Sequence, residues 1–285
     1  MRFWLLLVVF VQPVCAGAQS PWTRSKAGFY TQLAWHFIPA YESLYAPGGG
    51  TSSLERTLSE QTLQLYGEYG LSNRTTATVS VPFRFLNAGD LTADAAAGVQ
   101  TEAGHLNGLG NISLAARHRF AIGALDITGA LQADFPVDKY NLNSGLSLGY
   151  NALTIKPMLS MGQGYAKAYW FTYAGYAYRT NGFSHAFNLG AEGGLHLGRF
   201  WAIAFSEWLQ PLFNGDVLLS NNNNRTGLYV NNQGYVAVGF KPFLTSTDSP
   251  AHFSLLAGRL PDKGCRAARA WAWGRFLNGN EGLFG

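Results

Sequence analysis

The chain has 285 residues, of which 13% are charged and 14% aromatic, with 34 glycines and a formal net charge of +4. A soluble domain carries about 25% charged residues, so this composition points away from a water-facing surface on every side. Twenty basic against 16 acidic residues, with no clustered Lys/Arg stripe, give no footing for nucleic-acid binding.

Residues 1–18 read as a signal peptide: Arg2 is the positive start, Phe3 to Val11 the short apolar region, and Ala16-Gly17-Ala18 the cleavage site. Nine apolar residues are too few to span a bilayer as a helix. Cys15 follows Gln12-Pro13-Val14, which lacks the small residues that lipoprotein processing prefers. Cleavage before Gln19 leaves Cys265 as the single cysteine, so residues 19–285 can form no internal disulfide. After the leader no apolar run is long enough for a membrane helix, and any bilayer crossing must be made by strands of a closed sheet.

Strand signals then recur to the end of the chain. Lys26 to Ile38 is the first, followed by a polar stretch with Gly48-Gly49-Gly50. Glu60 to Tyr69 and Thr75 to Leu86 flank the tight turn Gly70 to Arg74. In the second of these, Ala77, Val79, Val81, Phe83 and Phe85 alternate with Thr76, Thr78, Ser80, Pro82 and Arg84, a period of two with unlike faces. A strand of about ten residues with an aromatic-tipped apolar face fits a tilted bilayer crossing. A long loop, Asn87 to Gly108, precedes Asn111 to Phe120, and a short turn leads to Leu125 to Phe135. The loop Pro136 to Ser144 leads to a strand ending near Met161, and a Gly-Gln-Gly turn at Gly162 to Gly164 leads to Ala168 to Arg179. Ala186 to Leu197 and Phe200 to Gln210 are separated by Gly198-Arg199. The loop of Asn221 to Asn224 precedes Leu228 to Phe243, and two weaker strands, His252 to Leu260 and Ala267 to Leu277, complete the set.

Connections alternate long and short. Outer-membrane barrels have short periplasmic turns and longer external loops, whereas a β-sandwich has no reason to keep that parity. The expected fold is therefore all-β: a transmembrane antiparallel up-and-down β-barrel of about twelve strands, in a bacterial (Gram-negative) outer membrane. Its surroundings would be outer-membrane lipid and lipopolysaccharide, and barrel-assembly machinery would insert it. No cofactor and no nucleic acid are implied. Such barrels tend to end on an aromatic residue, but here Gly285 follows Phe284 and Asn278 to Gly282 interrupts the last strand.

If the apolar faces meet lipid, the opposite faces define the lumen. Its lining would include Tyr66, Glu68, Arg84, Arg117, Arg119, Asp126, Asp134, Lys156, Arg179, Glu192 and Lys241, together with Gln64, Thr76, Thr78, Asn111, Ser113, Thr128, Gln132, Asn188 and His196. Two arrangements fit: a salt-bridged core, since buried charges need partners, or a pore lining with a slight preference for anions. In the first, Arg84, Arg117 and Arg119 pair with Glu68, Asp126 and Asp134. The strand Trp201 to Leu209 leaves its facing open, because its bulky apolar residues share their parity with Glu207. Either Glu207 lies near the headgroups or a bulge shifts the register. Ser184-His185 is the best nucleophile–base candidate, but neighbouring residues on a strand face opposite ways. No His/Asp/Glu spacing suggests a metal site.

Leu109-Gly110-Asn111-Ile112-Ser113-Leu114-Ala115-Ala116-Arg117-His118-Arg119-Phe120 resembles the GLGDIxLxxRYRF strand of the outer-membrane transporter family labelled phenol-degradation MetA-pathway-like, itself similar in general form to FadL. Gly175 to Ser184 resembles that family's GYRxRTxGFSDxF hairpin, and the Trp201 strand with Gln210 to Gly215 is also similar. Asn111 and His185 stand where the family has Asp. The resemblance implies passive transport of small, hydrophobic or aromatic molecules. A surface-interaction barrel with a closed lumen is the alternative, supported by the long loops Tyr41 to Arg56 and Asn87 to Gly108. A lipid-modifying enzyme, supported only by scattered Ser and His, is the third class.

Overall fold

The computed structural model describes residues 20–45, 51–91, 102–121, 123, 125–137, 139–141, 143–149, 151–198, 200–212, 235–244, 251–256, 258–259 and 272–279. From residue 235 onward the description is of the backbone alone. The leader, Gly48 to Gly50, Asn221 to Asn224, Cys265 and the chain after Gly279 lie outside the described residues.

Fourteen strands and no helix are described, all in one curled antiparallel sheet. In chain order they are β1 Phe29–Tyr45, β2 Thr51–Ser72, β3 Thr75–Leu91, β4 Gly104–Leu109, β5 Ile112–Ala121, β6 Asp126–Phe135 and β7 Thr154–Tyr165. β8 Ala168–Arg179, β9 Ala186–Leu197, β10 Phe200–Pro211, β11 Tyr235–Leu244, β12 Ala251–Leu256, β13 Gly258–Arg259 and β14 Ala272–Gly279 follow. Hairpin pairing joins neighbours along the chain from β1 to β3 and from β5 to β10. β10 then pairs with β11, β11 with β12, β12 with β14, and β14 with β1, so hydrogen bonding returns to the first strand.

Several strands outrun their sequence signal. β1 and β2 remain paired out to Tyr45↔Thr51, with irregular register around Pro39 and Ala40, where a proline cannot donate to the ladder. The stretch Asn87 to Gly108 is not all loop: β3 continues to Leu91, and β4 pairs with it from Phe83↔Leu109 to Ala88↔Gly104. β4 and β5 lie end to end on the same edge of β3, broken at Gly110-Asn111 opposite Pro82, whose oxygen accepts from the Gly110 amide at 2.8 Å. Gly162 to Gly164 does not turn. β7 runs through it, and the chain reverses at Ala166-Lys167. The β6–β7 connection extends to Leu153 rather than ending at Ser144. β14 reaches Gly279, past Leu277, pairing there with Phe29.

Burial is inverted relative to a water-soluble protein. Leu131 and Leu159 are each 56% exposed, while Arg117 is 2% and Lys156 5% exposed. On β7, buried Thr154, Lys156, Met158 and Ser160 alternate with Ile155 and the exposed Pro157, Leu159 and Met161. Exposed Phe29, Trp35, Leu65, Phe85, Leu114, Phe120, Leu189 and Trp208 continue the apolar outer face. An antiparallel sheet that hides its polar residues and displays leucine and aromatics is adapted to a hydrocarbon surround.

Candidate functional site

Charge is concentrated on the inner face of β2, β3, β5 and β6. Glu68 sits at its centre: Arg117 Nη2 lies 2.9 Å from Oε1, Arg24 Nε 2.5 Å from Oε2, and the Tyr66 hydroxyl donates to Oε1 at 2.7 Å. Tyr66 shares the inner face of β2 with Glu68 two residues away, and Arg117 reaches Glu68 from β5 across β3, where Thr76 and Thr78 stand opposite Arg117 and Glu68. With side chains 2% and 5% exposed, Arg117 and Glu68 form a buried pair, and each would be costly to leave alone.

Arg24 belongs to a segment the sequence reading overlooked. Residues 20–28 precede β1 and cross the interior at the end where the short turns lie. The Arg24 amide donates to Thr76 Oγ1 at 2.8 Å, the Lys26 amide to Asn73 Oδ1 at 2.9 Å, and Arg117 Nη1 to Ser20 Oγ at 3.3 Å. Thr128 Oγ1 donates to the carbonyl of Pro21, which is fully buried. Across the lumen Trp22 meets Tyr169 and Phe171 edge-on, with centroids at 5.5 and 5.6 Å. Because a short peptide touches β2, β3, β5, β6 and β8 at once, it is a strap across that mouth. Its only sequence signal was a proline, a tryptophan and an arginine between the cleavage site and the first strand.

The other candidate residues are spread around the sheet. Arg84 pairs with Glu60 rather than with the carboxylates expected for it, at 2.8 Å from Nη2, and Thr62 donates to the same Glu60 oxygen at 3.1 Å. Arg119 lies 3.6 Å from Asp126, both partly exposed. Asp134 accepts from Gln132 at 2.6 Å instead of holding an arginine in that arrangement. Lys156 is buried on β7 in register with Gln132. Arg179 is in register with Thr154 at the opposite end from the short turns. Glu192 accepts from the Tyr169 hydroxyl at 2.8 Å. The Lys241 backbone pairs with Ile203, and its side chain lies outside the description.

β8 to β10 build a different wall. Glu207 is 7% exposed while Ser206, Trp208 and Gln210 face out, so Trp201, Ile203 and Phe205 share the interior with Glu207. Neither a headgroup position for Glu207 nor a bulge is needed, for the β9–β10 register is unbroken from Phe200 to Pro211. Inward Tyr169, Phe171 and Tyr173 extend this strip along β8, with Tyr169 5.5 Å from Trp201 and His196 stacked on Trp201 at 4.8 Å. Glycines on β9 make room: a Cβ at Gly194 would fall 2.2 Å from the Tyr169 ring, and one at Gly190 2.3 Å from that of Tyr173. The sequence concealed this wall because β8 carries aromatics on both faces, with Trp170 and Tyr178 exposed outside.

Ser184-His185 is not a nucleophile–base pair here. Ser184 Oγ donates to the backbone oxygen of His185 at 2.9 Å, whereas the imidazole Nδ1 is 2.7 Å from the Tyr176 hydroxyl. Among the described residues no three His, Cys, Asp or Glu side chains are grouped as metal ligands.

No family model and no curated protein matches this chain. Solved structures do. The COG4313 outer membrane channel from Pseudomonas putida F1 superimposes with a TM-score of 0.63 at 14% identity, covering 94% of this chain and all of that one. The translocator domain of autotransporter NalP from Neisseria meningitidis aligns over 89% of each chain at 10% identity, with a TM-score of 0.46. Salmonella typhi OmpF aligns over 88% of this chain and 97% of its own at 9% identity, with a TM-score of 0.34. At these identities the likeness is one of fold, and the first match carries it: this chain has the fold of an outer-membrane β-barrel.

Proposed function

We infer that the chain is an outer-membrane channel whose closed barrel has twelve crossings, with β4 and β5 forming one and β12 and β13 another. In this reading residues 1–18 are removed on export, and residues 19–285 reside in the outer membrane of a Gram-negative bacterium. Lipopolysaccharide surrounds the barrel there, assembly machinery inserts it, and the short turns face the periplasm. Passive passage of small apolar or aromatic solutes is the function the geometry supports best. The observation that carries it is the aromatic strip of Tyr169, Phe171, Tyr173, Trp201 and Phe205 on the inner face of a sheet whose other inner residues are mostly polar. Aromatic rings offer an apolar solute face and edge contacts that water does not. The similarity to a solved outer membrane channel agrees with this reading.

Purified protein in liposomes tests it. Uptake of a neutral aromatic solute of phenol size should exceed that of a sugar of similar mass, and Trp22→Ala should raise it by loosening the strap. A barrel impermeable to both solutes, with or without Trp22, would instead establish the second reading: a closed barrel acting through its long loops. The strap across the short-turn mouth is the observation that favours that alternative. The engaged Ser184 hydroxyl gives the lipid-modifying reading no support.

A further inference from the structure

We propose that residues 139–141 and 143–149 of the β6–β7 connection form a movable gate at the long-loop end, closing the interior independently of the N-terminal strap. The proposal rests on the channel reading above and assigns that channel a second door.

The segment is a small hairpin that holds its own shape. The Asn141 amide donates to Leu146 O at 2.9 Å, Gly145 to Asn141 O at 2.7 Å and Leu148 to Lys139 O at 3.1 Å. Asn141 Oδ1 accepts from the amides of Asn143 and Ser144, and Tyr140 bridges to Ser147. Its stems are pinned to the rim. The Val137 amide donates to Asn111 Oδ1, and Leu153 exchanges bonds with Thr180 on the far side. Between these anchors the body folds inward, with Leu148 fully buried and Ser144 1% exposed.

What it covers is unusual for this interior. Elsewhere the inner face of β2 and β3 is largely polar, yet at this end it presents Leu58, Leu86 and Ala88, joined by Leu106 of β4. Leu146 and Leu148 of the hairpin complete that cluster. The polar ties to the wall all end on main-chain oxygens: Arg56 donates to Ser144 O, Arg84 Nη1 to Leu148 O at 2.6 Å, the Glu102 amide to Asn143 O at 2.8 Å, and Lys139 Nζ of the hairpin to Asn107 O at 2.9 Å. The hairpin itself offers these arginines neutral carbonyls, unlike the carboxylate that grips the strap at Arg24. A body with its own hydrogen bonds, pinned stems and a neutral grip can leave the wall as a unit, as hinged closures do. The two closures are far apart. Arg84 meets the hairpin level with Glu60, while the strap binds Glu68 eight residues further along β2, roughly 26 Å at about 3.3 Å per residue.

Cross-linking tests the gate in the full mature chain. The Cβ that Gly104 lacks would lie 2.9 Å from Ser144 Cβ, so a small separation brings cysteines at both positions to bridging distance. In Gly104→Cys/Ser144→Cys with Cys265→Ser, oxidation should lower solute flux by about tenfold or more and reduction should restore it, since passage scales with the open fraction. Measurable flux that is equal in both states overturns the gate. Thiol labelling decides the motion independently of transport. Ser144→Cys, with Cys265→Ser, should react completely with a small maleimide but about tenfold or more slowly than an Asn143→Cys control at an exposed position, reaction being limited by opening. A position-144 thiol that stays unmodified while the control reacts fully overturns the proposal. A position-144 thiol that reacts as fast as the control also overturns it. Slow labelling with no flux in any form supports the moving hairpin and counts against the channel reading alone.

Discussion

The two inner walls of this barrel solve the same problem by opposite means. On β2, β3, β5 and β6 the interior carries ionised groups, several of them in ion pairs, with Glu68 between Arg24, Arg117 and Tyr66 as the tightest knot. On β8 to β10 it is filled with rings, and only Glu192 and Glu207 interrupt them among the described charged side chains of β9 and β10. The strap touches both, giving Arg24 to the ionic wall and Trp22 to the aromatic one. An ionic wall is unforgiving, because removing one partner strands the other in a place that cannot solvate it. An aromatic wall is limited by shape, because rings need room opposite them.

The largest effect should come from breaking the ionic wall at its centre. Arg117→Glu sets two carboxylates against each other inside the barrel and should cost on the order of 3–5 kcal/mol, read as a large drop in the heat needed to unfold the barrel on a detergent gel. A variant with unchanged stability and altered ion preference would mean that the group lines a solvated conduit instead. Next in size is a change on neither wall: Leu131→Arg on the exposed outer face should cost about 2–4 kcal/mol in bilayers if that position is near the midplane. Urea titration in lipid vesicles measures it, and a cost near zero would place Leu131 at the headgroups. On the aromatic wall, Gly194→Ala drives a methyl into the Tyr169 ring and should cost about 1–3 kcal/mol, while Gly194→Ala/Tyr169→Ala should recover part of that loss. The smallest effect belongs to the rim. Asp126→Asn breaks a 3.6 Å pair with Arg119 whose side chains are 15% and 19% exposed, and should change stability by about 1 kcal/mol or less. A loss as large as that of Arg117→Glu would extend the ionic wall to the short-turn rim.

The facing of Thr76 to Phe85 was legible in the chain because its two faces differ in polarity at nearly every step, and the structure has Thr76 and Thr78 buried and Val79, Phe83 and Phe85 exposed. β8 and β10 were not legible. Tyr169 and Trp170, or Phe205 and Trp208, are alike in hydrophobicity, so alternation cannot tell a ring facing lipid from one facing the lumen. Length was also misread where polar sequence stays paired: Ser52↔Leu44 and Asn87↔Ser59 are strand positions because their neighbours offer hydrogen bonds, not because their side chains favour the state.

By itself the sequence determined the class. Low charge, repeated two-residue alternation and the absence of a helix-length apolar run leave closed antiparallel strands as the way to satisfy the backbone in lipid. Which charges meet was decided only by the tertiary structure. Arg84 takes Glu60, Asp134 takes Gln132, and Arg24 enters from a segment outside every strand, because partners in a barrel are set by cross-strand register and by what folds into the lumen. Both interior closures, residues 20–28 and residues 139–141 with 143–149, are irregular segments with no periodicity to read. Their position depends on a cavity that exists only once the sheet has curled around them.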